Sequence, residues 1–215
     1  RGLGDVYKRQ EAIITNSIAT ELKIHQFLNK YDLCPEILDY DLLNNRTVYE
    51  YIEYPVESSE YNEVFLEIFG KTLSKLHSLD YRNLVIDTFE EKIEGYRNML
   101  STSNSIEIQE SFALFDKLYK KPYKLAFCHN DLNKMNIFLD KNMKFIDWEY
   151  AGLNQPIYEI ASIKKSFNLS SDQLDIFLKA YGQDFNPNEI EEFEVLVGFI
   201  EKIWQKVTNK LKTDR

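Results

Sequence analysis

Four residues able to do chemistry stand close together in CHNDLNKMNIFLDKNMKFIDWEYAG, residues 128–152: His129, Asp131, Asn136 and Asp147. Asp131 follows an apolar segment ending at Phe127, so it belongs on a loop leaving a strand, where a carboxylate can meet a substrate hydroxyl as general base. Asn136 offers a neutral oxygen, and Asp147, behind the apolar pair Phe145-Ile146, offers a charged one. Both are hard ligands suited to Mg²⁺, which keeps several waters and takes further oxygens from phosphates. One base and two metal ligands make the minimum set for phosphoryl transfer, in which the protein mostly positions reactants and neutralises charge. His129 is read as a brace for the loop.

The elements that must position these residues follow from periodicity. Over residues 11–30, Ile13, Ile14, Ile18, Leu22, Ile24, Phe27 and Leu28 recur as on one helix face, with Pro35 beyond. Residues 36–54 alternate like two strands about a turn at Asn44-Asn45. Residues 62–80 form a clear amphipathic helix despite Gly70, and weaker helical patterns cover 87–100 and 106–120. A short strand enters the Asp131 loop. Two more flank the turn Asp140-Lys141-Asn142. Helices are expected over 156–167, 171–182 (capped by Ser170 or Ser171) and 188–209. The expected fold is α+β: a small N-terminal lobe of helix and hairpin, then a larger helical lobe with a hairpin embedded in it.

HNDLNKMN followed by FIDWEYAG resembles the catalytic loop and metal-binding Asp of the protein-kinase-like fold, in its small-molecule branch. That branch holds choline/ethanolamine kinases, thiamine kinase and aminoglycoside phosphotransferases. SKLHSLD resembles the helix end that precedes this loop, and ELKIHQFL with LCPEI resembles the helix whose Glu pairs with the ATP-holding Lys. The resemblance implies that Asp131 is the base and that Asn136 and Asp147 hold Mg²⁺. It makes Glu21 the pairing Glu and places the adenine-holding hinge near Glu50, Tyr51 and Ile52. Glu149 and Tyr150 would line the acceptor pocket. Asn133 stands where protein kinases carry Lys, and Lys134, one residue on, is a candidate for reaching the γ-phosphate. Trp204 on the last helix is a candidate wall for a cationic acceptor. Glu159 replaces the Asp usual in the segment PIYEIA.

The Gly-rich loop and ATP-anchoring Lys implied before Glu21 have no counterpart in residues 11–20. Residues 1–10 share no periodicity with the segment after them, and DVYKRQ reads as translated adapter sequence. The expected division is therefore 1–10 as an artefact, 11–54 as a partial small lobe with hinge, and 55–215 as the helical lobe.

A formal net charge of −9 argues against a grip on nucleic-acid phosphates and agrees with a cationic acceptor. Cys34 and Cys128 lie far apart without metal-ligand spacing, which favours buried thiols in a reducing cytoplasm. No apolar run is long enough to span a membrane, so neither membrane nor nucleic acid is expected as a partner. The expected function is transfer of phosphate from ATP to an alcohol hydroxyl of a small, cationic acceptor, choline-, ethanolamine- or thiamine-like, with an aminoglycoside as alternative. Two rivals from other classes are a catalytically silent ligand-binding fragment and a metal-dependent phosphoesterase; three widely spaced His do not supply the latter's ligand clusters. Gly70-Lys71-Thr72 imitates the end of a P-loop, but Phe65 stands where its first Gly belongs. His77 is expected to be a buried helix-end residue and His25 a surface one.

Overall fold

Four of the described helices begin at a side-chain cap, on Ser17, Asn62, Thr88 and Ser170. The computed structural model describes residues 17–41, 46–52, 61–121 and 123–213. Ser17 opens helix α1 (Ile18–Asn29), its hydroxyl accepting the Thr20 N–H at 3.2 Å. The earlier part of the expected helix, 11–16, lies outside the described residues, as does the Asn44-Asn45 turn. One face of α1 buries Ile24, His25 and Leu28. His25 thus corrects the surface expectation: it is 1% exposed, because it shares the inward stripe and the Tyr49 ring covers it at 5.0 Å. Strands β1 (Ile37–Asp41) and β2 (Arg46–Tyr49) pair antiparallel, Ile37 opposite Tyr49. Their outer side leaves Leu38, Tyr40 and Val48 exposed.

The helical body is built from amphipathic stripes. Helix α2 (Glu63–His77), capped by Asn62, buries Phe65, Leu66, Phe69, Leu73 and Leu76. Gly70 lies within it because α6 (Ser171–Tyr181) crosses there; a Cβ at Gly70 would stand 2.4 Å from the Phe177 carbonyl oxygen. The P-loop look-alike is therefore a helix-packing glycine. Helices α3 (Phe89–Met99) and α6 both start in capping boxes, Thr88 with Glu91 and Ser170 with Gln173. Helix α4 (Ile106–Tyr119) and α5 (Pro156–Phe167) pack against the long α7 (Pro187–Thr213). Its stripe Ile190, Phe193, Val197, Ile200, Ile203 and Val207 is buried. At about 1.5–3 kcal/mol per buried side chain, this packing outweighs intrinsic helix propensity.

Four short strands sit where the site is assembled. β3 (Ala126–Cys128) pairs antiparallel with β6 (Gly152–Asn154), Cys128 opposite Gly152. β4 (Ile137–Leu139) pairs with β5 (Met143–Phe145) across the expected 140–142 turn. Between β5 and β6 a 3₁₀ turn (Trp148–Tyr150) buries Trp148 completely. The architecture is the expected α+β one, a helix and hairpin followed by a larger helical part. Among the described residues, no helix is long and apolar enough to cross a membrane.

Candidate active site

Leaving β3, the chain turns sharply through Asn130, whose φ of 66° lies in the left-handed region that Asn tolerates. Three bonds hold this turn. The Asn130 N–H donates to Glu159 Oε1 at 2.6 Å, its Oδ1 accepts from Asn154 Nδ2 at 2.8 Å, and its Nδ2 donates to the Tyr150 carbonyl at 3.1 Å. Glu159 is fully buried at the start of α5, and its second oxygen lies 2.7 Å from His77 Nε2. His77 Nδ1 in turn meets the Tyr181 hydroxyl at 2.9 Å. His77, Cys128 and Glu159 could geometrically hold a metal, but these hydrogen bonds already engage His77 and Glu159.

His129 is fully buried and ties two loops together. Its Nε2–H donates to the Ile146 carbonyl at 2.8 Å, while Nδ1 accepts the Asp131 N–H at 3.3 Å. Those partners select the Nε2–H tautomer. The ring lies 4.4 Å from that of Trp148.

Asp131 is half-buried, and its Oδ2 accepts from Asn133 Nδ2 at 3.3 Å and from Asn136 Nδ2 at 3.2 Å. Burial raises its pKa above the ordinary carboxylate value, with repulsion from Asp147 acting the same way. Asn136 uses its amide nitrogen on Asp131, which leaves Oδ1 as its atom for a cation. The Ile146 N–H donates to the Asn136 carbonyl at 3.0 Å, so Asn136 and Asp147 are held as neighbours. Asp147 has φ 65° and ψ 64°, a left-handed kink at the end of the apolar run.

Carboxylates converge here. Glu21 of α1 accepts the Trp148 N–H, and burial, then the Asp147 charge, raises its pKa. Glu149 is pushed up to about 7, first by burial and then by Asp147, Glu21 and Asp131. Four acidic side chains that repel one another suit a cation between them, and Asn136 Oδ1 and the Asp147 carboxylate are oxygens that could hold one.

Asp131 also opens onto a cavity of about 420 Å³ lined by Lys92, Tyr96, Glu149, Tyr150, Glu201 and Trp204. The Trp204 Nε1–H donates to the Tyr150 hydroxyl at 3.0 Å, fixing two aromatic walls. Of the expected site residues, Asp131, Glu149, Tyr150 and Trp204 share this cavity, with Asn136, Asp147 and Glu21 beside it. Asn133 braces Asp131 and accepts the Met135 N–H. Lys134 is exposed and faces a different depression, with Tyr61, Asn62 and Phe167. Glu50, Tyr51 and Ile52 line a third, shared with Asp32, Asp140, Asn142 and Lys144, where Glu50 pairs with Lys144 at 2.6 Å. That ion pair, and the Glu36 N–H, hold the Glu50 carboxyl below its usual pKa.

Lys92, Tyr96 and Glu201 were not foreseen. The sequence carries one signal for the first two: Phe89, Lys92, Ile93 and Tyr96 share the buried stripe of α3, and a Lys there demands a partner. Glu201 carries none, since it reads as one acid among several on α7.

Residues 14–193 match the family described as "Phosphotransferase enzyme family". A protein LicA homolog from Metamycoplasma hominis is 28% identical over 192 residues, covering 82% of this chain and 72% of that one. The crystal structure of choline kinase LicA from Streptococcus pneumoniae superposes with a TM-score of 0.77 at 20% identity, covering 94% of this chain and 75% of that one. LicA in complex with AMP gives 0.74 at 20% identity, covering 92% and 72%. The fold is thus the protein-kinase-like fold of the choline kinase and aminoglycoside phosphotransferase group.

Proposed function

As the chain belongs to the phosphotransferase enzyme family, we propose that it transfers the γ-phosphate of ATP to a hydroxyl of a small cationic acceptor of the choline, ethanolamine or thiamine kind. The observation that carries this reading is the single cavity into which Asp131 opens. It sets Asp131 and Glu149, with Glu201 already paired to Lys165, against the Lys92 ammonium, and adds the faces of Tyr96, Tyr150 and Trp204. A desolvated cation gains from both the charge and the ring quadrupoles.

In this reading Asp131 orients the acceptor hydroxyl and takes its proton as phosphate transfers to the oxygen. Its raised pKa makes it a stronger base than an exposed carboxylate. Asn133 and Asn136 hold the carboxylate in place, and His129 holds the loop. Asn136 and Asp147 would bind Mg²⁺, which neutralises phosphate charge when bound. Glu21 anchors the Trp148 end of that loop, and the backbone from Glu50 to Ile52 would hold the adenine edge. Residues 11–54 would then be the partial small lobe with its hinge, and 55–215 the helical lobe that carries the catalytic loop. Lys134 would need to swing from its present depression to touch a phosphate. A polycationic aminoglycoside is the second reading, favoured by the several acidic side chains that line the cavity.

The test is γ-phosphate transfer from Mg-ATP to choline, ethanolamine, thiamine and kanamycin, with ATP binding measured in parallel. Transfer to one member is expected. Absence of both transfer and ATP binding would overturn the reading.

A further inference from the structure

A lysine in the apolar stripe of a helix is costly unless its ammonium is fully engaged. Lys92 of α3 is 6% exposed, and its Nζ donates to the carbonyl oxygens of Tyr150 at 3.0 Å and Ala151 at 3.3 Å. These are the carbonyls that end the 3₁₀ turn carrying Glu149 and Tyr150 into the cavity. The Tyr150 carbonyl takes a second donor, Asn130 Nδ2, from the residue next to Asp131. One carbonyl therefore joins α3, the acceptor wall and the base loop.

The start of α3 is docked on the same segment from the other side. The Leu153 N–H donates to the Asp87 carbonyl at 3.0 Å, and a Cβ at Gly152 would stand 2.6 Å from that oxygen. With backbone pinned at both ends, the Lys92 head has little room to move. Its surroundings keep it charged against burial: Asp87 and Glu149 both attract it, while desolvation lowers its pKa to about 8.

We propose that Lys92 is a positioning residue for the acceptor: by holding the Tyr150 and Ala151 carbonyls it sets Glu149 and Tyr150 against the cavity and in register with Asp131. It acts through those residues, and its loss weakens acceptor binding without weakening nucleotide binding. The inference rests on the acceptor reading of the cavity.

The test compares wild type with Lys92→Met, which keeps the apolar stem and removes the ammonium. Amide exchange at Ala151 and Leu153, measured without ligand, should quicken by roughly tenfold, as expected for one lost charged hydrogen bond. Unchanged exchange at both would overturn the inference, whatever the acceptor proves to be. Lys92→Met also removes a positive charge lining the cavity, which by itself favours a cation. In titration with choline chloride, the expected fall of about tenfold in affinity, with Mg-ATP affinity within twofold, therefore reports lost positioning against that gain. An equal loss in both, or in neither, would also overturn it. Failure of wild type to bind choline would count against the acceptor reading, and the exchange result would then decide on Lys92. Should Lys92→Met not fold, Lys92→Leu, which likewise removes the ammonium and its donors, carries the same comparison.

Discussion

Among the described residues, neither ring nitrogen of the buried His25 imidazole has a hydrogen-bond partner, and the ring of Tyr49 packs on it. Burial, with His129 adding to it, lowers its pKa from 6.5 to about 4. Below pH 6.5 the unfolded chain binds a proton that the folded chain refuses, so stability falls with falling pH until about pH 4. Between pH 7 and pH 5 this linkage removes about 2 kcal/mol. Replacing His25 by Leu removes the titration and also the buried unpartnered polar atoms, whose cost is about 1–3 kcal/mol. His25→Leu should therefore be the more stable protein at pH 7, and the gap should widen by about 2 kcal/mol at pH 5. The assay is urea unfolding at the two pH values, followed by tryptophan emission, to which the fully buried Trp148 and the more exposed Trp204 both contribute. Other groups titrate equally in both proteins, so the difference isolates His25. Parallel loss of stability in the two proteins would refute the reasoning, as would a variant less stable at pH 7.

Two further substitutions test how the helical body supports the loop. Gly70→Ala drives a Cβ into the Phe177 carbonyl and the Tyr181 amide. After a gain of helix propensity, a net loss on the order of 1–2 kcal/mol is expected in urea unfolding, and a stabilised variant would contradict the packing account. Glu159→Ala strips the partners from the Asn130 N–H and His77 at once, at a cost of about 3 kcal/mol, whereas Glu159→Gln should cost less than about half of that. The Gln can still accept from Asn130, and His77 can present Nε2 as acceptor in its other tautomer; equal losses in the two variants would contradict that exchange.

Local pattern carried much of the fold. The stripes of α2, α5, α6 and α7 and the capping residues Asn62 and Ser170 are visible in residue order, because helix periodicity and caps are local. The order His129, Asp131, Asn136, Asp147 was likewise legible, since one loop and one short hairpin bring those residues together. What escaped depends on distant partners. His25 reads as a surface residue until Tyr49 is placed over it. β6 has three residues, too few for a period, yet its pairing with β3 joins the Asp131 loop to the Glu149 turn. The cavity gathers Lys92, Tyr96 and Glu201 from helices separated by a hundred residues of chain, and no local pattern announces that meeting.

In the proposed reaction Asp131 takes a proton from a bound cationic alcohol while phosphate transfers from ATP. The most direct measurement is the single-turnover rate of choline phosphorylation by Asp131→Asn beside wild type, at saturating choline and Mg-ATP. Asn keeps the shape and an oxygen for Asn133 and Asn136, so both ligands should still bind while the rate falls by about 10²–10⁴. A variant that binds both ligands and turns over at the wild-type rate would contradict the account.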